Sequence, residues 1–123
     1  MILGHEDVTY ELTEGELEIA KKIAPFLKLK TKENPVLASE IINGVNKNLN
    51  LKTKLTDARL RKIINYYRTE SILPVISTYK GYFVSYDEKD INDMMQSLCE
   101  RGNSIIQCSF GLGKILNRIK YKE

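Results

Sequence analysis

The stretch from Leu55 to Tyr86, LTDARLRKIINYYRTESILPVISTYKGYFVSY, changes its hydrophobic period part-way along. Leu60, Ile63, Ile64 and Tyr67 recur at helical spacing and form one apolar stripe. Arg61, Lys62, Asn65 and Arg68 fall mostly on the other side. Thr56 stands where an N-cap belongs, its hydroxyl able to accept from a free backbone N–H of the first turn. Glu70-Ser71 ends the helix without a glycine. Leu73 to Ser77 then reads as a strand, and Pro74 suits an edge position because proline has no N–H for a ladder. Thr78-Tyr79-Lys80-Gly81 is a turn with a glycine able to take positive φ. Tyr82 to Tyr86 is an aromatic and β-branched second strand. A helix feeding directly into a β-hairpin constrains the rest of the chain: other helices must cover the apolar stripe and one face of the hairpin.

Charge concentrates in the same place. The net charge is +3, yet residues 47–68 carry Lys47, Lys52, Lys54, Arg59, Arg61, Lys62 and Arg68 against a single acid, Asp57. Residues 1–20 carry six acids and no Lys or Arg. A local positive field of this kind suits a phosphate backbone. The competing interpretation is a solvated helix face with no partner.

The order helix then hairpin, with Leu55, Thr56, Leu60, Arg61, Ile63, Ile64, Asn65 and Arg68 on the helix and Lys80-Gly81-Tyr82-Phe83 at the turn, resembles the second half of a winged helix-turn-helix. Residues 13–86 as a whole resemble that family, especially small winged-helix proteins of phages and mobile elements. The resemblance implies an α+β, mostly α fold of three helices plus a hairpin wing. It also implies double-stranded DNA as partner, in a transcriptional regulator or a replication-associated factor. Thr56, Arg59, Arg61, Lys62 and Asn65 are the candidates for groove contact, because arginine and lysine can pair with guanine and asparagine with adenine. Lys54 and Arg68, at the flanks, suit phosphate. Tyr79 and Lys80 at the wing tip would reach the neighbouring backbone or minor groove. Arg61 has a second expected role, bracing the domain. The alternative function is a winged-helix scaffold that recognises protein, since fold alone does not fix function.

Upstream, residues 1–12 read as an acidic lead-in that packs at most locally, through Val8 and Tyr10. Thr13-Glu14-Gly15-Glu16 is a capping box. A first helix follows, with Leu17, Ala20, Ile23, Ala24 and Leu27 on its apolar side, and Pro25 predicts a kink or an early end. Asn34-Pro35-Val36-Leu37-Ala38 opens the next element: the winged-helix resemblance implies a short strand here and then a helix, or Asn34 caps and Pro35 starts a second helix directly. That helix carries Leu37, Ile41, Ile42 and Val45, and Gly44 would let another backbone approach. The connection Asn46 to Lys54 is longer than the three or four residues of a strict helix-turn-helix, with Leu49, Leu51 and Leu55 expected to tack it down.

Residues 87–123 read as a long C-terminal helix. Ile91, Leu98, Ile105, Leu112 and Ile119 recur every seven residues, with Met94, Cys108 and Ile115 three later and Arg101 the exception. This is an a/d heptad pattern, and a helix of about 30 residues would be about 45 Å long. Either the stripe pairs with a second copy of the chain, or the helix breaks near Gly102 or Gly111–Gly113 and folds back.

Catalysis finds little support. His5 is the single histidine and lies in the lead-in. Cys99 and Cys108, nine residues apart, would face opposite sides of a continuous helix, about 13 Å apart along it, and cannot share a metal or a disulfide within it. No phosphate loop, nucleophile motif or dinucleotide fingerprint occurs. The chain has no signal-peptide pattern and no run near the roughly 20 apolar residues of a membrane span. The expectation is a cytoplasmic, non-enzymatic protein with no cofactor, no metal, no small-molecule substrate and no membrane contact.

Overall fold

The computed structural model describes residues 11–121. His5, Val8, Tyr10 and Lys122 therefore lie outside the described residues. The architecture is α+β and mostly helical: α1 (Glu14–Lys28), α2 (Ala38–Asn48), α3 (Asp57–Thr69), the antiparallel hairpin β1 (Val75–Thr78) and β2 (Gly81–Val84), and α4 (Glu88–Lys120). The chain divides after Ile91 into two units.

In the first unit, α1 packs on α3 and β2, while α3 packs on α2 and β1. Thr13 and Glu16 form the capping box at the start of α1: Glu16 N–H donates to Thr13 Oγ1 (3.2 Å) and Thr13 N–H to Glu16 Oε1 (2.9 Å). Ile19, Ala20, Ile23 and Leu27 bury the apolar side of α1, whereas Leu17 is only half-buried. The helix neither stops at Pro25 nor loses its last turn, which ends at Lys28. Pro25 lies one turn from the end and is exposed, so its missing N–H removes a single bond in the last turns of the helix.

Between α1 and α2 the chain touches the hairpin. Val36 and Tyr82 exchange both backbone hydrogen bonds, at 2.9 and 2.7 Å, so Val36 extends the sheet on the side of β2 away from β1. Pro35 accordingly does not start α2. Leu37 is the N-cap residue, and Glu40 Oε1 accepts its N–H at 2.9 Å. The close approach requires Gly81, whose φ is +129°. A Cβ there would lie 2.4 Å from the Val36 carbonyl oxygen. Gly44, by contrast, has nothing within 4 Å of its would-be Cβ. No backbone approaches it, and it lines an open groove between α1 and α2.

The α2–α3 connection, residues 49–56, is held by one side chain. Asn46 donates through Nδ2 to the Leu55 carbonyl (2.9 Å) and accepts the Leu55 N–H at Oδ1 (2.8 Å). Leu55 is buried and Leu49 and Leu51 pack on the core. The loop tip reaches the start of α1, where a Cβ on Gly15 would lie 2.0 Å from Thr53 Oγ1.

Thr56 caps α3 by accepting the Arg59 N–H (3.2 Å), and Leu60, Ile63, Ile64 and Tyr67 are buried along the predicted stripe. The helix stops through Ser71, whose φ is +56°. Ile72 N–H donates to the Tyr67 carbonyl (2.8 Å) and Ser71 N–H to the Arg68 carbonyl (3.1 Å). These are the two bonds of a Schellman motif, with serine in the left-handed position glycine usually takes. Val75 and Val84 join the helical core, while Ile76 and Phe83 pair across the hairpin and are buried outside that cluster.

Helix α4 starts in the first unit and makes up most of the second; it is continuous through Gly102, Gly111 and Gly113, so the alternative of a break at these glycines does not occur. Its 33 residues correspond to about 50 Å. No helix among the described residues is long and apolar enough to cross a membrane.

Candidate nucleic-acid interface

Burial of one stripe of α3 leaves the opposite face to solvent. At 100° per residue, Ala58, Arg61, Lys62, Asn65 and Thr69 share that face, with Tyr66 on its flank. Arg61 is exposed and makes no ion pair among the described residues. Asn65 is half-buried and lies one turn beyond Arg61. The pair sets a guanidinium fork and a carboxamide side by side on one ridge. Ala58 and Thr69 were absent from the sequence-based candidates. They are small, and they leave the ridge open to close approach at both ends.

The other candidate cations are partly committed within the fold. Glu16, buried at the start of α1, receives two of them: Lys62 Nζ lies 2.7 Å from Oε1 and Arg59 Nε 3.4 Å from Oε2. Arg59 Nη1 also donates to the Lys54 carbonyl at 2.8 Å, pinning the loop that enters α3. Burial pushes the Glu16 carboxyl up, but Lys62 and the Thr13 N–H outweigh it, and the group is held below its ordinary value. Arg68 spans from α3 to the hairpin, donating through Nε to the Val75 carbonyl (3.0 Å) and through Nη2 to Ser77 Oγ (3.1 Å). The bracing role considered for Arg61 thus belongs to Arg68, which holds the hairpin at a fixed angle to α3.

Lys54 is exposed, as are Thr56, Lys47 and Lys52. At the hairpin tip, Tyr79 is 90% exposed and Lys80 Nζ sits 5.7 Å from its ring centroid. The Thr78 hydroxyl accepts the Lys80 N–H (3.2 Å), so the tip is ordered by its own side chain. Beneath α3, the Tyr67 hydroxyl donates to the Ala20 carbonyl, and burial pushes its pKa up. The helix is therefore fixed to α1 at both its first turns, through Glu16, and its last, through Tyr67.

The remaining sequence candidates lie on α4. Met94 is buried and Ile91 and Leu98 are half-buried, whereas Ile105, Cys108, Leu112 and Ile115 are exposed. Met95, Ile106 and Phe110 widen the exposed apolar surface on one side. Cys99 and Cys108 are free thiols. Among the described residues no three His, Cys, Asp or Glu side chains converge as a metal site would need.

Neither Glu16 nor Asn46 could have been assigned its partner from sequence. Glu16 lies 46 positions from Lys62, and its capping-box role already explained its presence. The chain matches no family model, no curated protein and no solved structure.

Proposed function

We propose that the chain binds double-stranded DNA as a winged helix-turn-helix protein, with the outward ridge of α3 in the major groove and the β1–β2 hairpin as the wing. The observation that carries this reading is the α3 ridge itself. Arg61 and Asn65 project side by side from a helix locked at both ends, and the helix is braced by Arg68 to a hairpin that presents Tyr79 and Lys80. The element order and the Val36–Tyr82 bridge support the fold assignment. Arg61 would read guanine and Asn65 adenine. Lys54, Lys80 and the rim-exposed Arg59 would meet phosphate and release counterions. Lys62 and Arg68 act mainly by fixing α3, so their contribution to DNA is indirect. In keeping with the phage and mobile-element resemblance, the reading is of a transcriptional regulator or a replication-associated factor without catalytic activity.

Fluorescence anisotropy on a labelled random duplex at two salt concentrations tests this. Wild type is expected to bind at low salt and to lose affinity steeply as salt rises. Lys54→Ala/Arg61→Ala is expected to bind at least about tenfold more weakly with an unchanged circular dichroism spectrum. No binding at low salt would sink the reading. It would favour a protein-interaction module, for which the exposed apolar surface of α4 speaks.

A further inference from the structure

We infer that α4 pairs with α4 of a second copy of this chain, and that the two helices run antiparallel, centred on the turn between Ile105 and Cys108. This inference stands apart from the DNA reading, because it uses only residues of α4. The seam is uncovered from Ile105 onward: Ile105, Leu112, Ile115 and Ile119 are 43%, 65%, 44% and 69% exposed on one unbroken helix, while Ile91 and Leu98 are half-buried and Met94 is buried. A heptad seam is complementary to another helix with the same repeat, because the 3.5-residue spacing keeps knobs and holes in step. The occupant that carries this repeat is the chain itself.

Charge decides the direction. From Glu88 to Glu100, α4 holds Glu88, Asp90, Asp93 and Glu100 against Lys89. From Arg101 to Lys120 it holds Arg101, Lys114, Arg118 and Lys120 and no acid. Parallel pairing would set like charge beside like at both ends of the helix, bring both negative dipole ends together and place Arg101 against Arg101 in the seam. Reversing one helix removes all three conflicts. With the centre between Ile105 and Cys108, Leu98 lies opposite Ile115 of the second copy, Ile105 opposite Cys108, and Leu112 opposite Arg101. The stem of Arg101 can then cover apolar surface while its guanidinium stays at the rim. Lys114 comes level with Glu100, and Lys120 with Asp93.

Two experiments on the full chain test the inference. Sedimentation over a concentration series should show a dimer, and Ile115→Asp, which sets a carboxylate against the apolar Leu98 of the second copy, should weaken it at least about tenfold while leaving the helical spectrum intact. In a Cys99→Ser/Cys108→Ser background, a chain with Leu98→Cys mixed with one carrying Ile115→Cys should form an interchain disulfide under mild oxidation. A chain with Ile119→Cys should not link to its own copy. A monomer at every concentration overturns the inference. So does efficient Ile119→Cys self-linking without the Leu98→Cys/Ile115→Cys product, which would make the pair parallel.

Discussion

Helices α3 and α4 carry the same kind of sequence signal and meet different fates. Each has an apolar stripe at helical spacing, opposed by charge. The α3 stripe is at most 2% exposed at Leu60, Ile63, Ile64 and Tyr67. The α4 stripe leaves large apolar side chains in water over much of its length. An amphipathic period shows that a helix has a face to bury, and it is silent about which molecule supplies the cover. A short helix surrounded by α1, α2 and the hairpin finds its cover within the domain. A helix of about 50 Å extends beyond what a small domain can cover.

The largest test of this contrast is truncation of one seam residue in each helix. Ile63→Ala should cost about 3 kcal/mol in urea unfolding, because the lost methyl groups leave a cavity in a filled core. Leu112→Ala should cost no more than about 0.5 kcal/mol in the unassembled chain. If α4 pairs, its cost should grow with protein concentration, since a dimer stabilises by mass action. Equal costs at all concentrations would erase the distinction.

The second test concerns how α3 is fixed. The folded-state pKa of Glu16 is lowered below the ordinary 4.5. Its carboxylate therefore contributes stability above the unfolded pKa, and that contribution is lost as pH falls from about 4.5 toward the lower folded value. Glu16→Gln keeps the capping box, because the glutamine oxygen can still accept the Thr13 N–H, and should be less stable than wild type by about 2 kcal/mol at neutral pH through its lost charge-assisted bonds to Lys62 and Arg59. Chemical denaturation across pH should show the gap closing below about 4.5. A gap independent of pH would mean that the charge of the carboxylate is not what holds α3.

The smallest effects should be gains. Ser71→Gly relieves a left-handed serine at the end of α3 and should stabilise by up to about 1 kcal/mol in the same unfolding measurement. Gly113→Ala meets nothing within 4 Å and should raise the helicity of α4, by about 0.5–1 kcal/mol of local stability in hydrogen exchange. The first gain belongs to the global transition and the second to α4 alone.

Local order was legible wherever its cause is local. The Thr56 cap, the α3 stripe, the Thr13–Glu16 capping box and the glycine of the hairpin turn follow from short-range steric and hydrogen-bonding rules. Mistakes arose where a local rule met tertiary context. Leu17 and Ile19 flank the same face of α1, and only packing makes Ile19 the core residue. Pro25 allows an early end to α1, yet the helix runs on to Lys28, because so near its end the missing N–H removes little. Gly44 suggests a close approach and faces an open groove. For the candidate interface, charge counting marks residues 47–68, but the seven cations there are not equivalent: Glu16 takes Arg59 and Lys62, and the hairpin takes Arg68.

The amino-acid sequence by itself determined the elements, their order, the basic character of α3 and the heptad of α4, because these depend on side-chain period and on residues a few positions apart. Only the tertiary structure decided which cations face outward. A carboxylate of α1, 46 positions from Lys62, takes Arg59 and Lys62, and the hairpin takes Arg68. A buried carboxylate must be paired and hydrogen-bonded to stay ionised. Which cations satisfy it depends on how the helices pack.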